Sequence, residues 1–469
     1  MESLLNKTAI RLTITLAFFM EMLDSTVLNT SLPQMALSLH QQPLQLKVAL
    51  TSYLLSLGVF IPISGWVADR FGARNTFAWA IVIFTLGSLC CSLAHSLPFL
   101  VASRILQGMG GAMMSPVARL VILQVYSKKE MVNVMSKITS ISLFAPIIGP
   151  VVGGAITTYL SWRWIFWINI PLGFIGIWAV WRFMPHIKNE MPRRFDWVGF
   201  FLLGAGFSLL LWGFQSVVGG GFGGWQYVEL LLGIAALLGY VKHMHTAINP
   251  LISMEIFAQR VFRIALMGGF VSRLGLAMAF VLPLLFQLGY GHDALISGLM
   301  IAPMAMGSVV MKRLVKILLK RYGYRRVLLW NTLSLALMVL SFTLLTLGLP
   351  WWVSEGLIFI YGLCISLNFS SGNTLMYSEV EDRLKSQSTS VGSAMQQICI
   401  SFSIALAAIV IEFSACTRDL THAIPLPAFR IAFLIISAII VLALPIFYCL
   451  KPQDGQSVSG HLEKLTGCD

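Results

Sequence analysis

The sequence predicts an all-α polytopic membrane protein with fourteen transmembrane helices and both termini in the cytoplasm. Of its 469 residues, 57% are hydrophobic and only 11% are charged, and the mean hydropathy is +0.82. A soluble domain cannot bury that much apolar surface. The apolar residues fall into stretches of about 20, the length that crosses a bilayer. The net charge of +13 is concentrated in alternate loops, and this asymmetry indicates cytoplasmic loops rather than a nucleic-acid-binding surface.

Each predicted helix is one of these apolar stretches. The first continues past Asp24 to Leu32 and has no A-x-A-like cleavage site, so we expect a retained helix and not a signal peptide. The glycine-rich run 218–224 is expected to form an outer loop. The helices are predicted at residues 12–34, 44–66, 76–95, 99–120, 138–158, 165–184, 197–216, 226–242, 262–289, 294–314, 326–348, 351–375, 388–413 and 427–450.

A short repeat supports this helix count. The segment R-F-G-A-R at residues 70–74 recurs 251 residues later as R-Y-G-Y-R at 321–325. The same offset relates the first, fourth and fifth helices to the ninth, twelfth and thirteenth. Transporters are often built from such repeats around a site at the membrane midplane. We therefore predict a six-helix bundle at 1–192, two inserted transmembrane helices at 193–250, a second six-helix bundle at 251–450 and a disordered cytoplasmic tail at 451–469.

A short polar segment from Gly65 to Arg74 is predicted as the loop between the second and third helices. We expect Gly72 to adopt the positive φ that a tight reversal requires, and Gly65 to let a neighbouring backbone approach. Asp69 lies next to a helix end, where its charge can meet a dipole or a basic partner. Arg70 and Arg74 mark the cytoplasmic side.

This segment resembles the G-x-L-A-D-[RK]-x-G-R-[RK] loop of the major facilitator superfamily of transporters, from which it departs at Val67 and Ala73. The resemblance implies two six-helix bundles that rock around a central cavity, with this segment as a cytoplasmic gate. Two inserted helices are expected in the fourteen-helix branch of the family, the drug:proton antiporters.

The first helix carries two acidic residues within the membrane. Glu21 and Asp24 lie three residues apart and share one helix face. Asp24 lies 13 residues beyond Arg11, which places it about 20 Å into the membrane at about 1.5 Å per residue. An ionised carboxylate at this depth must face a polar cavity, pair with a cation or carry a proton. We interpret both residues as candidates for proton coupling, and a structural ion pair is the alternative.

The segment around Asp24 resembles the L-D-x-T-[IV]-x-N-x-A-L-P signature of the drug:proton antiporter branch, with Ser31 in place of alanine. It contains Asn29, which we assign to the substrate cavity. All eight histidines lie in loops or at predicted helix ends. Any proton coupling is therefore expected to run through the first helix.

The fourth helix contains Arg104 and Gln107 in the sequence R-I-L-Q-G-M-G. Arg104 enters from the outer end to a depth comparable with that of Asp24, so the two can pair until a proton displaces the arginine. The alternative is an arginine that extends to the interface. The pattern resembles the family motif R-x-x-Q-G-x-G, whose arginine is implicated in proton coupling. Gln107 is assigned to the substrate cavity.

The fifth helix reads A-P-I-I-G-P-V-V-G-G from Ala145 to Gly154. Pro150 removes a backbone hydrogen bond and bends the helix, and the glycines leave one face free for close packing. An ordinary kinked packing helix would have the same sequence features. The run resembles G-x-x-x-G-P-x-x-G-G, an antiporter motif associated with exporters, with Ala145 replacing the first glycine. The motif positions assigned to it are Gly149, Pro150, Gly153 and Gly154.

The second half of the chain carries a lone mid-membrane arginine, Arg273, about ten residues into the ninth helix. An arginine at that depth requires an anion, and both a protein carboxylate and a substrate group can provide it. Four amide side chains on the twelfth and thirteenth helices are either substrate contacts or interhelical hydrogen-bonding groups. They are Asn368, Asn373, Gln396 and Gln397.

The sequence has no recognisable Walker-type loop, metal-ligand spacing or nucleophile–base pair, so we expect no cofactor, no metal site and no enzymatic activity. We predict a proton-coupled exporter, an antiporter, of small amphipathic compounds in the bacterial inner membrane. Its expected partners are the substrate, protons and the lipid bilayer, without nucleic acid, and a monomer is expected. The alternatives are an exporter of an anionic metabolite or metal chelate and, more remotely, a membrane-embedded enzyme.

Overall fold

The regular elements of this computed structural model are all helical, and no strand occurs among the residues it describes. Contacts divide the chain into two units. The described residues are 2–126, 134, 138, 144–185, 195–220, 224–247, 250–252, 254–345, 348–381, 384–415 and 424–456.

The first unit comprises Met1–Gly213, Phe222–Leu251 and Asp293–Gly298. Its helices are α1 (Glu2–Val27), α2 (Leu32–Ser38), α3 (Lys47–Phe60), α4 (Ser64–Phe71), α5 (Ala73–Ser92), α6 (Leu97–Val125), α7 (Phe144–Tyr159), α8 (Trp164–Trp167), α9 (Asn169–Phe183), α10 (Trp197–Gly220) and α11 (Gly224–Thr246). Helix α6 packs against α3 and α5, and α1 packs against α7 and α9. The core between these helices is apolar and includes the fully buried Phe77 and Phe84.

The second unit comprises Phe214–Gly221, Ile252–His292 and Leu299–Asp469. Its helices are α12 (Met254–Ala258), α13 (Arg260–Ser272), α14 (Met278–Leu284), α15 (Ala294–Ser341), α16 (Trp351–Ser378), α17 (Lys385–Ser414), α18 (Leu426–Val441) and α19 (Ala443–Tyr448). Helix α13 packs against α16 and α19, and α17 packs against α18. Two helices are divided between the units, because residues 294–298 of α15 belong to the first unit and residues 214–220 of α10 belong to the second.

Eleven helical segments in the described part of the chain are long enough and apolar enough to cross a membrane. One of them, Ala294–Leu344, contains two of the predicted spans. The shorter apolar helix Trp197–Gly213 and helix α7, which follows residues that are not described, correspond to two further predicted spans. The structure is therefore all-α and polytopic as predicted, and its helices are consistent with fourteen spans.

A single glycine joins two helices at each copy of the R-x-G-x-R repeat. Gly72 lies between α4 and α5 with φ 87° and ψ 143°, and Gly323 interrupts α15 with φ 73° and ψ 167°. This backbone region is essentially restricted to glycine, so the positive φ expected at Gly72 is confirmed. The loop predicted from Gly65 to Arg74 is wrong, and so is the gap between the predicted helices 294–314 and 326–348. Residues 64–71 and 315–322 are helical, and one glycine suffices for each change of direction.

The predicted ninth helix, 262–289, is divided into four parts. Helix α13 gives way to a 3₁₀ segment at Arg273–Ala277, α14 follows, and a π-helical turn ends the span at Leu285–Gly289. Gly275 weakens the helix within the 3₁₀ segment, and Pro283 removes a backbone hydrogen bond before the π turn. Arg273 therefore lies at a junction between helical forms, a position that often marks a hinge.

Asp196 fixes the start of α10. Its Oδ1 accepts a hydrogen bond from the Gly199 N–H at 2.8 Å, as an N-cap residue does, and lies 2.7 Å from Nε2 of His243 on α11. Its Oδ2 accepts from the Leu251 N–H at 3.1 Å. Burial raises the pKa of Asp196, but these hydrogen bonds outweigh it and lower the pKa below its ordinary value. The carboxylate thus links the two predicted inserted helices.

We expect Asp196→Ala to lower the free energy of unfolding by about 1–2 kcal/mol, because the cap of α10 and the link to His243 are lost together. Asp196→Asn is the matched control, since asparagine caps as well as aspartate does. The free energy of unfolding of the wild type should exceed that of Asp196→Asn by its full amount above the ordinary pKa of aspartate. This difference should disappear as the pH falls through the lowered pKa. Thermal unfolding against pH measures both effects, and equal stability of Asp196→Ala and the wild type contradicts them.

The chain beyond α19 begins with an ordered turn. Asp454 accepts hydrogen bonds from the Lys451 N–H at 2.7 Å and from Nη1 of Arg260 at 3.1 Å. These contacts order residues 451–456, the start of the segment expected to be disordered. The remainder of that segment, 457–469, lies outside the described residues. The division into two bundles, an inserted pair and a tail stays a prediction.

Candidate functional site

Five side chains from four helices meet in a buried polar cluster of the first unit. Nη1 of Arg104 lies 2.7 Å from Oδ2 of Asp24. Oδ1 of Asp24 accepts hydrogen bonds from Nε2 of Gln107 and Nδ2 of Asn169, both at 2.9 Å. The same two amides lie within hydrogen-bonding distance of the Ser88 hydroxyl, at 2.7 and 3.1 Å. These five residues are called the Asp24 cluster below.

The Asp24 cluster is closed to solvent. Asp24 is 2% exposed and Arg104 is 0% exposed, so Arg104 does not extend to the interface. Nε of Arg104 donates to the Ala49 carbonyl at 3.2 Å, and the guanidinium lies 4.4 Å from the Tyr53 ring centre and 5.7 Å from that of Phe166. Further hydrogen bonds to the groups of a buried ion pair offset part of the cost of removing its charges from water. The network as a whole, rather than the pair alone, accommodates the two charges.

Gln107 has no free amide group for a substrate in this arrangement. Its Oε1 accepts from Nη1 of Arg104 at 2.6 Å, while its Nε2 is used by Asp24 and Ser88. Its assignment to the substrate cavity is therefore not supported by the geometry, because the side chain is fully buried and its hydrogen bonds are internal to the Asp24 cluster.

Ser88 and Asn169 are two members of the Asp24 cluster that sequence reasoning does not identify. Asn169 is 145 residues from Asp24 in the chain, yet its amide contacts the carboxylate. The sequence marks each of these two residues only as a polar residue within an apolar run. That signal is weak, because serine in particular often hydrogen-bonds to its own helix backbone instead.

Glu21 lies one helical turn from Asp24 but outside the Asp24 cluster. It is 5% exposed and accepts a hydrogen bond from the Ser115 hydroxyl at 3.4 Å. The two acids therefore have different environments: a cation and two amides contact Asp24, whereas Glu21 accepts one long hydrogen bond from the described residues. A buried carboxylate with so few partners is costly when ionised, and Glu21 remains a second candidate for proton binding.

The glycine face of α7 packs against the end of α1, just beyond Asp24. A Cβ atom on Gly149 would overlap the Thr26 hydroxyl, and one on Gly153 would overlap the Val27 carbonyl. Helices can approach this closely only where one of them has no side chain. The four motif residues within α7 are Gly149, Pro150, Gly153 and Gly154.

The predicted gate residues lie around the junction of α4 and α5. Arg74 donates to the Trp181 carbonyl on α9, and its guanidinium lies 4.9 Å from the Trp181 ring centre. Asp69 is half-buried and Arg70 is exposed, and neither forms an ion pair with a described residue. Gly65 is exposed, and a Cβ atom on it would meet no described atom within 4 Å. The close backbone approach expected at Gly65 is therefore not found, because no described residue packs against this side of α4.

Arg273 in the second unit is buried without a carboxylate partner among the described residues. It is 3% exposed, and its Nη2 donates to Oδ1 of Asn373 at 2.7 Å. Its guanidinium lies 4.9 Å from the Phe369 ring centre, and its Nε has no hydrogen-bond partner in the part of the chain that is described. No described acid therefore serves as the anion that an arginine at this depth requires.

Two of the amide side chains predicted for the substrate cavity, Asn373 and Gln396, form a chain of hydrogen bonds with Arg273. Nδ2 of Asn373 donates to Oε1 of Gln396 at 3.4 Å, which extends the contact made by Arg273. Asn368 accepts from the Ser272 hydroxyl at 3.2 Å, and its Nδ2 has no partner among the described groups. Two half-buried residues predicted for the cavity make no hydrogen bond with a described residue. They are Gln397 and, in the first unit, Asn29.

Comparison with known proteins finds relatives over most of the chain. Residues 14–407 match the model of the Major Facilitator Superfamily. A protein of Serratia proteamaculans named "Putative multidrug resistance protein MdtD" is 40% identical over 420 residues, which cover 89% of this chain and 87% of the relative. A protein of the same name from Escherichia coli is 39% identical over 396 residues, 84% of each chain.

Solved structures share the fold. A D-xylose-proton symporter matches with a TM-score of 0.69 at 14% identity, over 96% of this chain and 99% of that one. The nucleoside transporter NupG matches with a TM-score of 0.63 at 15% identity, over 94% and 100%. At such low identity the similarity shows the fold alone.

Proposed function

We propose, since the chain belongs to the Major Facilitator Superfamily, that it is a proton-coupled antiporter that exports small amphipathic compounds. Membership in this family makes it a multi-pass transporter of the bacterial inner membrane, and not an enzyme. A drug-type substrate is supported by the relatives named for multidrug resistance. Proton coupling is supported by the Asp24 cluster, and this observation carries the proposal.

The Asp24 cluster favours proton coupling because its charges balance only while Asp24 is ionised. A proton bound to Asp24 removes the charge that compensates Arg104, and an unpaired cation buried in a membrane is costly. Arg104 must then turn to other acceptors. The residues of the cluster come from α1, α5, α6 and α9, so protonation changes the contacts that hold four helices together. A ligand that changes such contacts shifts the population of conformations.

The membrane potential is a sufficient source of energy for the export of an uncharged substrate in exchange for one proton. Each proton that enters across 100 mV supplies about 2.3 kcal/mol from the electrical term. That free energy corresponds to a concentration ratio of about 50 for an uncharged substrate exported with one proton. Competition between proton and substrate for one cavity would couple the two movements.

Transport in proteoliposomes tests this proposal. The purified protein is reconstituted, the vesicles are loaded with a fluorescent lipophilic cation, and the external medium is made acidic. We expect the cation to leave faster than without the gradient, and a protonophore to remove the acceleration. Vesicles without protein give the passive rate. Equal rates with and without the gradient in protein-containing vesicles contradict proton coupling.

An anionic substrate is a second candidate, and Arg273 is the observation that favours it. A buried guanidinium without a described carboxylate partner can bind a carboxylate or phosphate group through charge-assisted hydrogen bonds. Asn368, which has an amide nitrogen without a described partner, can contribute a further donor. This candidate corresponds to export of an anionic metabolite or metal chelate.

Arg273→Ala distinguishes the two substrate classes. For the proposed amphipathic cations, we expect the variant to transport at close to the wild-type rate, because a cation gains nothing from the arginine. A carboxylate substrate would instead lose at least about tenfold in apparent affinity, the value of a hydrogen bond to a charged group. Arg273→Lys, which keeps the charge, is the control. Transport of di- and tricarboxylates that requires Arg273 would replace the first candidate by the second.

The other assignments are part of the same proposal. Glu21 acts as a second proton acceptor, and the glycine face of α7 lets movements of α1 reach its neighbour. The junction at Gly72, with Arg74 bound to α9, forms the cytoplasmic gate element. The transporter acts as a monomer on the substrate and protons.

A further inference from the structure

We propose that a groove on the second unit binds an anionic glycerophospholipid of the cytoplasmic leaflet. The groove is a cavity of about 580 Å³ formed by α15, on both sides of Gly323, and by α16. Most of its lining is apolar. The lining includes Tyr322, Arg326, Trp330, Ser334, Ile360 and Leu363.

The groove opens on a surface that contacts lipid. Trp330 is 70% exposed, and an exposed apolar stripe continues from it along α15 at helical spacing through Leu333 and Leu337. Such a stripe on a transmembrane helix faces acyl chains, and an apolar cavity does not retain ordered water. From Arg326 to Ser334 the groove follows about 12 Å of helix. This depth is most of the hydrocarbon of one leaflet, about 15 Å.

A guanidinium lies at the cytoplasmic mouth of the groove. Arg326 is exposed, lines the cavity and forms no ion pair with a described residue. The sequence from Ala294 to Pro350 contains no Asp or Glu, so nothing within it offsets the local positive charge. Arginine binds phosphate through two parallel hydrogen bonds. The neighbouring basic residues are Lys312, Arg313, Lys316, Lys320, Arg321 and Arg325.

A phospholipid matches both parts of the groove. Its phosphate reaches Arg326 while an acyl chain lies against Trp330 and Leu363. A basic cluster at the cytoplasmic surface attracts lipids with net negative charge, whereas a zwitterionic lipid gains only the phosphate contact. A second copy of this chain would bring the same basic cluster to the groove and be repelled. The occupant is therefore an anionic lipid.

Photo-cross-linking of the full chain in vesicles tests this assignment. Traces of phosphatidylglycerol or phosphatidylcholine carry a diazirine on one acyl chain, and labelled peptides are mapped by mass spectrometry. We expect phosphatidylglycerol to label the peptides that contain Trp330 and Leu363 about fivefold more than phosphatidylcholine does. Arg326→Gln should remove most of this preference. Lys320→Gln removes the same charge from the same cluster without lining the groove, and should keep most of it.

A second variant tests whether the labelling lipid lies in the groove or on the surface around it. Ser334→Phe fills the cavity from an exposed position, so it should reduce labelling by both lipids without unfolding the protein. Equal labelling by the two lipids, or an unchanged preference in Arg326→Gln, overturns the proposal. Protein–protein cross-links at Trp330 in place of lipid cross-links also overturn it and assign the groove to a second copy.

Discussion

Asp24→Asn is expected to abolish proton-driven transport while preserving substrate exchange. Asparagine has the shape of aspartate and can still accept hydrogen bonds from Gln107 and Asn169, but it does not bind or release a proton. At 100 mV the wild type can sustain a ratio of about 50 for an uncharged substrate exported with one proton, and the variant should sustain none. Both activities are measured in the same proteoliposomes, one with an imposed proton gradient and one with labelled substrate on one side only.

The exchange measurement separates loss of coupling from loss of the fold. A folded, uncoupled variant exchanges substrate at close to the wild-type rate and does not respond to acidification. Glu21→Gln, one turn away on the same helix face, is the companion variant. If it keeps the response, Asp24 alone carries the proton, and if both variants lose it, both acids do. Full gradient-driven transport by Asp24→Asn contradicts the proposed mechanism.

The contact between Asp24 and Arg104 is predictable from the sequence because the membrane leaves each charge few alternatives. Counting residues from the helix ends places both side chains at a similar depth in the membrane, and neither charge can remain unpaired there. Ser88 and Asn169 are not predictable in this way, because neutral polar side chains in a helix have partners within their own turn. One sequence does not show that residues 145 positions apart face the same carboxylate.

Helix existence is predicted better than helix ends for a related reason. Long apolar stretches can only span the bilayer, and the structure contains them. At the membrane surface a polar segment is compatible with either a loop or a helix, and α4 continues to Phe71 before Gly72 ends it. The positive φ at Gly72 is predictable because the R-x-G-x-R repeat isolates one glycine. Whether a described residue packs closely against Gly65 depends on tertiary packing, which the local sequence does not determine.

A double-mutant cycle on Asp24 and Arg104 is expected to give a large coupling energy. Removing one partner of a buried ion pair leaves the other charge uncompensated and typically costs about 3–5 kcal/mol. Arg104→Met is expected to cost that much, because its volume is similar but Asp24 loses its cation. Asp24→Asn combined with Arg104→Met should be more stable than the sum of the single effects predicts, since neither charge remains. Unfolding in the same detergent, followed by circular dichroism, measures the cycle.

An exposed ion pair in the second unit is the control for this cycle. Arg260 lies 3.1 Å from Asp454 but its side chain is 39% exposed, so water screens the interaction. Arg260→Met and Asp454→Asn should therefore couple by less than about 1 kcal/mol. A coupling energy for Asp24 and Arg104 as small as this would contradict the view that the Asp24 cluster holds two charges in balance.

The size of the coupling energy also constrains how a proton can operate the transporter. One proton crossing 100 mV supplies about 2.3 kcal/mol, which is less than the cost of leaving Arg104 unpaired. If the measured coupling exceeds that value, protonation of Asp24 must be accompanied by a new acceptor for Arg104. Nη2 of Arg104, which has no partner among the described residues, is the group available for such a contact. A coupling energy below about 2.3 kcal/mol would allow one proton crossing 100 mV to open the Asp24 cluster without any compensating contact.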